Sequence, residues 1–245
     1  IDYISFHVYQ PSEEGYRPYY DPETLYRQIV SAPLDVEDAI GRMHEQIVEI
    51  CGERSVGISL DEWNVKLPPP KGARTMHEQQ YTVRDAIYVA GMLNVFHRSC
   101  RALRMANLAM LVNVLPAIQK PQDGPAEYTP IAYPFVLYRA MERHALECRV
   151  AAEGFGAPQL GLNIGEKTEV PWVDVTATRS EDRSRVAAAL INRHPTHRVK
   201  CRVGLTGLPK LRGVSCRRLH GSAPLSREAR IRNVKVPRIR ADSMM

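Results

Sequence analysis

This chain of 245 residues contains five cysteines, only two tryptophans and no long apolar segment. Its five cysteines are odd in number and form no Cys-x-x-Cys pair, so the sequence predicts neither a disulfide framework nor a zinc site. No run of about 18 apolar residues is present, so we expect no membrane-spanning helix and no membrane partner. Reduced thiols favour a cytoplasmic location.

Acidic and basic residues are unevenly distributed within a formal net charge of +6. Residues 1–100 contain 15 Asp and Glu against 9 Lys and Arg, whereas residues 200–240 contain 12 Lys and Arg and one acid, Glu228. Such a basic tail could bind a phosphate polymer, but it lacks the aromatic side chains that stack on bases. We interpret the tail as a solvated end and expect no nucleic-acid partner.

A short β-favouring segment over residues 57–65 includes Asp61, Glu62, Trp63 and Asn64 near its end. The carboxyl end of a parallel strand is where (β/α)8 barrels carry their catalytic groups. Strand alternation predicts that Glu62 and Asn64 share one face and that Asp61 and Trp63 share the other. Trp63 is therefore expected in the core, and Glu62 is the candidate catalytic carboxylate.

A second strand-like segment over residues 2–11 carries His7 and Tyr9. Because they are two residues apart, both side chains are expected on the same side of a regular strand. Taken alone, His7 is better interpreted as an ordinary buried, hydrogen-bonded histidine.

The rest of the chain shows two different residue patterns, which change near residue 143. Strand and helix patterns alternate up to about residue 143, which predicts a parallel α/β arrangement. Residues 101–114 fit either a helix or a strand with its following turn. Beyond residue 143, short alternating segments predict an antiparallel β-sandwich. The predicted helical segments are 22–51, broken at Pro33, then 78–99 and 131–143, and the predicted strands of the second part include 170–178, 186–191 and 197–205.

Five ordered segments, FHVY, SLDEWNV, ANLAMLVNVL, YPFVLY and VPWVDVTA, resemble glycoside hydrolase family 51, the retaining α-L-arabinofuranosidases. The resemblance implies an α/β fold, in which residues 1–143 are the rear part of a (β/α)8 barrel and residues 144–245 are a jelly-roll-like β-sandwich. It also implies that the chain is part of a longer enzyme. From about Leu219 the sequence lacks the apolar closing strands of such a sandwich, so we expect a truncated or aberrant end.

The resemblance assigns roles to residues of this chain. Glu62 matches the nucleophile, and His7 and Tyr9 match positions that line the sugar site, with the Tyr9 hydroxyl close to the nucleophile. A phenol that donated a hydrogen bond to Glu62 would hold that carboxylate ionised and aimed. Asn64 is expected either to bind a substrate hydroxyl or to cap the turn. The family's general acid/base Glu lies on an earlier strand and has no counterpart here, and Asp61, on the other face, is a poor substitute. No metal or organic cofactor is implied.

Two departures from the family bear on specificity. Met110 stands where the family usually has Gln, and Lys66 stands where an aromatic residue is common. The leading hypothesis is an exo-acting enzyme that removes terminal arabinofuranosyl residues from arabinan or arabinoxylan oligosaccharides, with a homo-oligomeric parent. The alternatives are another retaining glycosidase, such as an endoglucanase or xylosidase, and a non-catalytic carbohydrate-binding remnant.

Overall fold

The computed structural model describes residues 1–11, 21–52, 54–207 and 213–236. The first part contains, in order, β1 (Tyr3–Gln10), α1 (Pro22–Ser31), α2 (Pro33–Cys51), β2 (Gly57–Val65), α3 (Val83–Arg98) and β3 (Leu103–Leu108). Its three strands are parallel and lie in the order β1-β2-β3. Strand and helix therefore alternate as predicted, and the ambiguous segment 101–114 supplies a strand.

The helices of this part begin and end at residues that the sequence marks. Asp21 caps α1 by accepting hydrogen bonds from the backbone N–H groups of Glu23 and Thr24, and Pro22 occupies the first turn, where a missing N–H costs nothing. Pro33 begins α2, so the predicted break between the two helices is confirmed. A capping box of Thr82 and Asp85 begins α3.

The central strand β2 carries the core of this part. Ile58, Leu60, Trp63 and Val65 are fully buried beneath the helices. The Trp63 ring meets the Phe96 ring edge-on, with centroids 5.1 Å apart. The prediction that Trp63 packs in the core is confirmed, and this packing fixes the end of β2 against α3.

A short helix follows two small strands: β4 (Ile118–Gln119), β5 (Glu127–Tyr128) and α4 (Ala132–Tyr138). The predicted helix over residues 131–143 is therefore too long. The helix ends at Tyr138, and the residues after it contact the antiparallel sheet that follows in the chain. The Glu142 N–H donates a hydrogen bond of 2.6 Å to Thr178 Oγ1 in that sheet. This hydrogen bond spans 36 residues, so no local pattern announces it.

The second part consists of small antiparallel sheets. Its strands are β6 (His144–Leu146), β7 (Gly154–Ala157), β8 (Lys167–Pro171), β9 (Val173–Arg179), β10 (Val186–Asn192), β11 (Cys216–His220) and β12 (Arg230–Val234). The sheets have the orders β10-β9-β6, β7-β8 and β11-β12. The predicted strands at 170–178 and 186–191 are present and antiparallel, although Trp172 separates β8 from β9.

The predicted strand over residues 197–205 is absent from the described structure, because this segment has no core face to cover. Val199, Val203 and Leu205 alternate with polar residues, but all three are exposed. Further along the chain, the backbone of the loop between β11 and β12 accepts hydrogen bonds from the first N–H groups of α3. The Val83 N–H, for example, donates to Ser226 O. Residues 208–212 and 237–245 of the predicted basic, truncated tail lie outside the described residues.

Candidate active site at the ends of the parallel strands

A β-bulge in β2 organises the candidate site. Phe6 of β1 pairs with Leu60, but the next residue, His7, pairs with Glu62, so Asp61 is an extra residue on its strand. The bulge changes the direction of the side chains around it. Sequence alternation placed Asp61 on the face opposite to Glu62, and this prediction is wrong because an inserted residue breaks the alternation.

His7 contacts both carboxylates as a result. Its Nε2 lies 3.3 Å from Asp61 Oδ1, and its Nδ1 lies 3.5 Å from Glu62 Oε2. The three side chains are 52%, 39% and 40% exposed for His7, Asp61 and Glu62. They are therefore accessible to a ligand at the carboxyl ends of β1 and β2.

Tyr9 lies beside the same carboxylate, as predicted. Its hydroxyl donates a hydrogen bond of 2.8 Å to Glu62 Oε2. Burial, followed by the hydrogen bond to Glu62 and the charge of Glu62, raises the pKa of Tyr9 to about 12. The phenol therefore stays protonated at neutral pH, where it donates a charge-assisted hydrogen bond to the carboxylate.

Lys66 extends the cluster directly after β2. Its backbone N–H donates to Gln10 O at 2.9 Å, which joins the ends of the two strands. Its Nζ lies 5.7 Å from the centroid of the Tyr9 ring, within the range of a cation–π contact. The Lys66 ammonium thus lies beside the phenol that contacts Glu62.

Asn64 does not face a ligand. Its side chain is fully buried, and its amide donates to Ala109 O at 2.6 Å and Leu115 O at 3.1 Å, while its Oδ1 accepts from Val65 N–H. Because both amide hydrogens are used, the predicted contact with a substrate hydroxyl is not available. Asn64 instead ties the segment after β3 to the end of β2.

Gln10 holds the end of β1, and the sequence reasoning missed it. The side chain is buried; its Nε2 donates to Ala32 O and to Asn163 O, and its Oε1 accepts from the Tyr88 hydroxyl at 3.0 Å. Asn163 in turn donates to the backbone oxygen of Tyr9. The only sequence signal was an amide at a strand end, because its partner Asn163 lies 153 residues away.

The described residues contain no group of three or more His, Cys, Asp or Glu that could hold a metal ion. They also contain no helix long and apolar enough to cross a membrane.

Comparisons with known proteins agree with one another. A family model of the α-L-arabinofuranosidase C-terminal domain matches residues 61–239. The intracellular exo-α-(1→5)-L-arabinofuranosidase 1 of Bacillus subtilis is 26% identical over 207 residues, which cover 79% of this chain and 38% of that protein. A probable α-L-arabinofuranosidase C of Aspergillus fumigatus is 32% identical over 187 residues, covering 73% of this chain and 37% of that protein.

The fold also resembles a solved structure. The family 51 arabinofuranosidase from Xanthomonas axonopodis pv. citri superposes with a TM-score of 0.81 at 22% identity, covering 98% of this chain and 49% of that one. At this identity the likeness concerns the fold. The chain spans less than half the length of these three relatives.

Proposed function

The chain belongs to the α-L-arabinofuranosidase C-terminal domain family, and from that premise we propose that it is part of a retaining α-L-arabinofuranosidase. The resemblance to glycoside hydrolase family 51 predicted from five sequence segments is confirmed. The activity of the longer polypeptide, its substrate and the roles of individual residues belong to the proposal. The observation that carries it is the hydrogen bond from Tyr9 to Glu62 at the end of a parallel strand.

In the proposed mechanism, a carboxylate oxygen of Glu62 attacks the anomeric carbon of the arabinofuranosyl residue. The bond from that carbon to the leaving oxygen breaks, and a carboxylic acid from outside this chain protonates the leaving oxygen. Water then attacks the anomeric carbon of the glycosyl-Glu62 ester and transfers its proton to the second carboxylate. The sugar leaves with retained configuration, and Glu62 is ionised again.

Tyr9 and His7 support this role for Glu62. A nucleophile must be ionised and held in one orientation before the sugar arrives. The Tyr9 hydroxyl donates to the Oε2 that also faces His7 Nδ1, so one carboxylate oxygen is held by two neighbours on β1. The other oxygen, Oε1, is then the proposed attacking atom.

The proposed architecture follows from the same family. We propose that residues 1–143 are the rear part of a (β/α)8 barrel and that residues 144–245 form a jelly-roll-like sandwich. The parallel order β1-β2-β3, with helices between the strands, supports the first assignment. Tyr3 and Ile4 on β1 and Met105 on β3 are exposed on the two outer strands, where a complete barrel would add neighbours.

The proposed substrate is an arabinose-containing oligosaccharide from which terminal arabinofuranosyl residues are released. The relative from Bacillus subtilis is named as intracellular and as acting in an exo manner on α-(1→5) linkages, and we propose the same class and a cytoplasmic location for the longer enzyme. We also propose that it forms a homo-oligomer. Lys66 near the Tyr9 ring would favour glycans that carry an acidic branch.

The test uses the longer polypeptide, which is expressed from the coding sequence of this chain together with the sequence upstream of it. Its hydrolysis of 4-nitrophenyl α-L-arabinofuranoside is measured. The wild type is compared with Glu62→Ala and with Glu45→Ala, an exposed glutamate on α2. Activity that Glu62→Ala abolishes and Glu45→Ala retains supports the proposal. A folded wild type without activity would favour another glycosidase or a binding role.

A further inference from the structure

The two-stranded ribbon of β11 and β12 carries basic side chains on one face. Arg218 lies directly opposite Arg232, and His220 lies opposite Arg230. In an antiparallel pair, opposed residues and residues two apart along a strand point to the same face. All four side chains are exposed. The ribbon therefore presents three guanidinium groups and an imidazole to the solvent on a single face.

The other face of the ribbon is turned toward the protein. Leu219 lies opposite Ile231 on this face, and both side chains are half-buried. Gly221, directly after β11, packs closely on the start of α3, because a Cβ at this position would lie 2.3 Å from Val83 Cγ2. One face thus fixes the ribbon to the rest of the molecule, and the basic face is left available for a partner.

The basic face is poorly compensated within the chain. Like charges directly opposite each other on a sheet are destabilising. Glu228 is the one acidic residue between residues 213 and 236, and its carboxylate lies 3.8 Å from Arg230 with both side chains exposed, so this contact contributes little. Arg218 and Arg232 form no ion pair among the residues that the structure describes. A bound polyanion would relieve their repulsion.

The ribbon is attached at the end of the parallel sheet that carries the candidate site. In the loop between β11 and β12, Ser226 O accepts a hydrogen bond of 2.9 Å from the Val83 N–H at the start of α3. Tyr81, two residues before α3, donates from its hydroxyl to Val65 O, at the carboxyl end of β2, at 3.0 Å. The start of α3, and with it the loop of the ribbon, therefore lies at the end of β2 where Glu62 is found.

We propose that the basic face of β11 and β12 binds an anionic polysaccharide, a glycan that carries carboxylate groups. This deepens the proposed function and rests on it, because the bound glycan is then the polymer from which the longer enzyme releases arabinofuranosyl residues. Arginine forks match carboxylates in shape and charge. Residues 213–236 contain no Phe, Tyr or Trp, so the ribbon lacks the stacking side chains of single-stranded nucleic-acid binding proteins.

The experiment measures binding of a fluorescently labelled oligogalacturonate to the longer polypeptide by fluorescence anisotropy. The matched ligand is the same oligosaccharide with its carboxylates converted to methyl esters, which removes the charge and keeps the sugar chain. The acidic ligand is expected to bind, with an affinity that falls as the ionic strength rises, because exposed ion pairs are screened by salt. The methyl ester is expected to show no measurable binding.

The double variant Arg218→Gln/Arg232→Gln is expected to raise the Kd for oligogalacturonate about five- to tenfold, since it removes two exposed ion pairs. The matched control is Arg42→Gln/Arg101→Gln, which changes the net charge equally at two exposed arginines outside the ribbon. Its Kd should equal that of the wild type.

Three results would overturn the proposal: no binding of oligogalacturonate, equal binding of its methyl ester, or equal losses in the two double variants. Duplex DNA that bound more tightly than oligogalacturonate, with the same dependence on Arg218 and Arg232, would identify a phosphate polymer as the partner and would overturn it too. The comparison of acid and ester uses the wild type alone, so it decides the question even if a variant does not fold.

The proposed function is tested separately on 4-nitrophenyl α-L-arabinofuranoside, a small neutral substrate that does not need the ribbon. The double variant Arg218→Gln/Arg232→Gln should therefore keep the turnover of the wild type on this substrate. Binding of oligogalacturonate without hydrolysis of the small substrate would contradict only the proposed function. Hydrolysis without binding would contradict only the role of the ribbon.

Discussion

Two clusters of ionisable side chains in this protein differ in exposure and in how closely their members are paired. The first, the strand-end cluster of His7, Tyr9, Asp61 and Glu62, leaves its carboxylates about 40% exposed, and its contacts to His7 are 3.3 and 3.5 Å. The second, the junction cluster of Glu37, Arg98, Asp174 and Arg193, joins α2 and α3 to the antiparallel sheet and is more closely paired.

The geometry of the junction cluster is that of a structural connection. Arg98 donates to both carboxylate oxygens of Glu37 at 2.6 and 2.7 Å and to Asp174 Oδ1 at 2.9 Å. Asp174 Oδ2 lies 3.0 Å from Nη2 of Arg193, whose side chain is only 2% exposed. A bidentate arginine fork fixes relative orientation, and a buried charge cannot lose its partner without a penalty.

The difference supports the proposal that the strand-end cluster serves a reaction, whereas the junction cluster stabilises the fold. Side chains that are half-exposed and loosely held can exchange their contacts for a substrate. Side chains that are buried and held by several short contacts cannot. Substitutions in the two clusters should therefore have separable effects on turnover and on stability.

The largest effect is expected from Glu62→Gln. If Glu62 is the nucleophile, as proposed, the substitution should reduce turnover of the longer enzyme by roughly 10⁴- to 10⁶-fold, as is found for nucleophiles of other hydrolases. The free energy of unfolding should change by less than about 1 kcal/mol, because the carboxylate is partly solvated. Steady-state kinetics and urea unfolding measure the two quantities. A Glu62→Gln variant that loses stability but retains turnover would contradict the assignment of chemistry to the strand-end cluster.

Asp174→Asn should have the opposite profile. It leaves the buried Arg193 without its counter-charge, so the free energy of unfolding should fall by about 3 kcal/mol while the folded fraction keeps its turnover number. Glu181→Gln removes the exposed partner of His144 on the same sheet and should cause no measurable loss. Equal stability of the two variants in urea would show that the junction cluster is not structural.

Tyr9→Phe is expected to have an intermediate effect. The variant loses the hydrogen bond to Glu62 and keeps the ring, so kcat should fall roughly ten- to a hundredfold. Tyr138→Phe, which removes a phenol that donates to Ala90 O and Asn94 on α3, away from Glu62, is the control and should leave kcat unchanged. An unchanged kcat in Tyr9→Phe would show that the phenol does not contribute to turnover.

The smallest effect concerns His97, the neighbour of Arg98. Burial and the adjacent guanidinium lower the pKa of His97 below its ordinary value. The unfolded chain therefore binds more protons as the pH falls below about 6.5, and stability is lost in that direction. His97→Gln should lose less stability than the wild type between pH 7 and pH 5, measured by thermal unfolding. An identical loss in both proteins would contradict this assignment.

The features that the sequence predicted are those that depend on local pattern. The β2 segment, the break at Pro33 and the core position of Trp63 follow from hydropathy, helix-breaking residues and alternation. The Tyr9 contact with Glu62 required the resemblance to a family, because the two residues are 53 positions apart. Local pattern placed each residue on a strand, and pairing of the strands brought them together.

The features that were missed depend on single insertions or distant partners. The bulge at Asp61 adds one residue to a regular alternation, and hydropathy cannot detect it because both Asp61 and Glu62 are acidic. Asn64 is buried because the segment containing Ala109 and Leu115 folds over it. The end of α4 depends on the hydrogen bond from the Glu142 N–H to Thr178, a residue of β9 that is distant in sequence.

The most direct test of the central claim is to trap the glycosyl-enzyme. The longer enzyme is incubated with an activated arabinofuranoside that carries fluorine at C2, which slows hydrolysis of the ester, and its peptides are analysed by mass spectrometry. We predict one added fluoro-arabinosyl group, on the peptide that contains Glu62 and on the Glu62 carboxylate. A group attached to Asp61 or to a carboxylate on another peptide would contradict the assignment of Glu62 as the nucleophile.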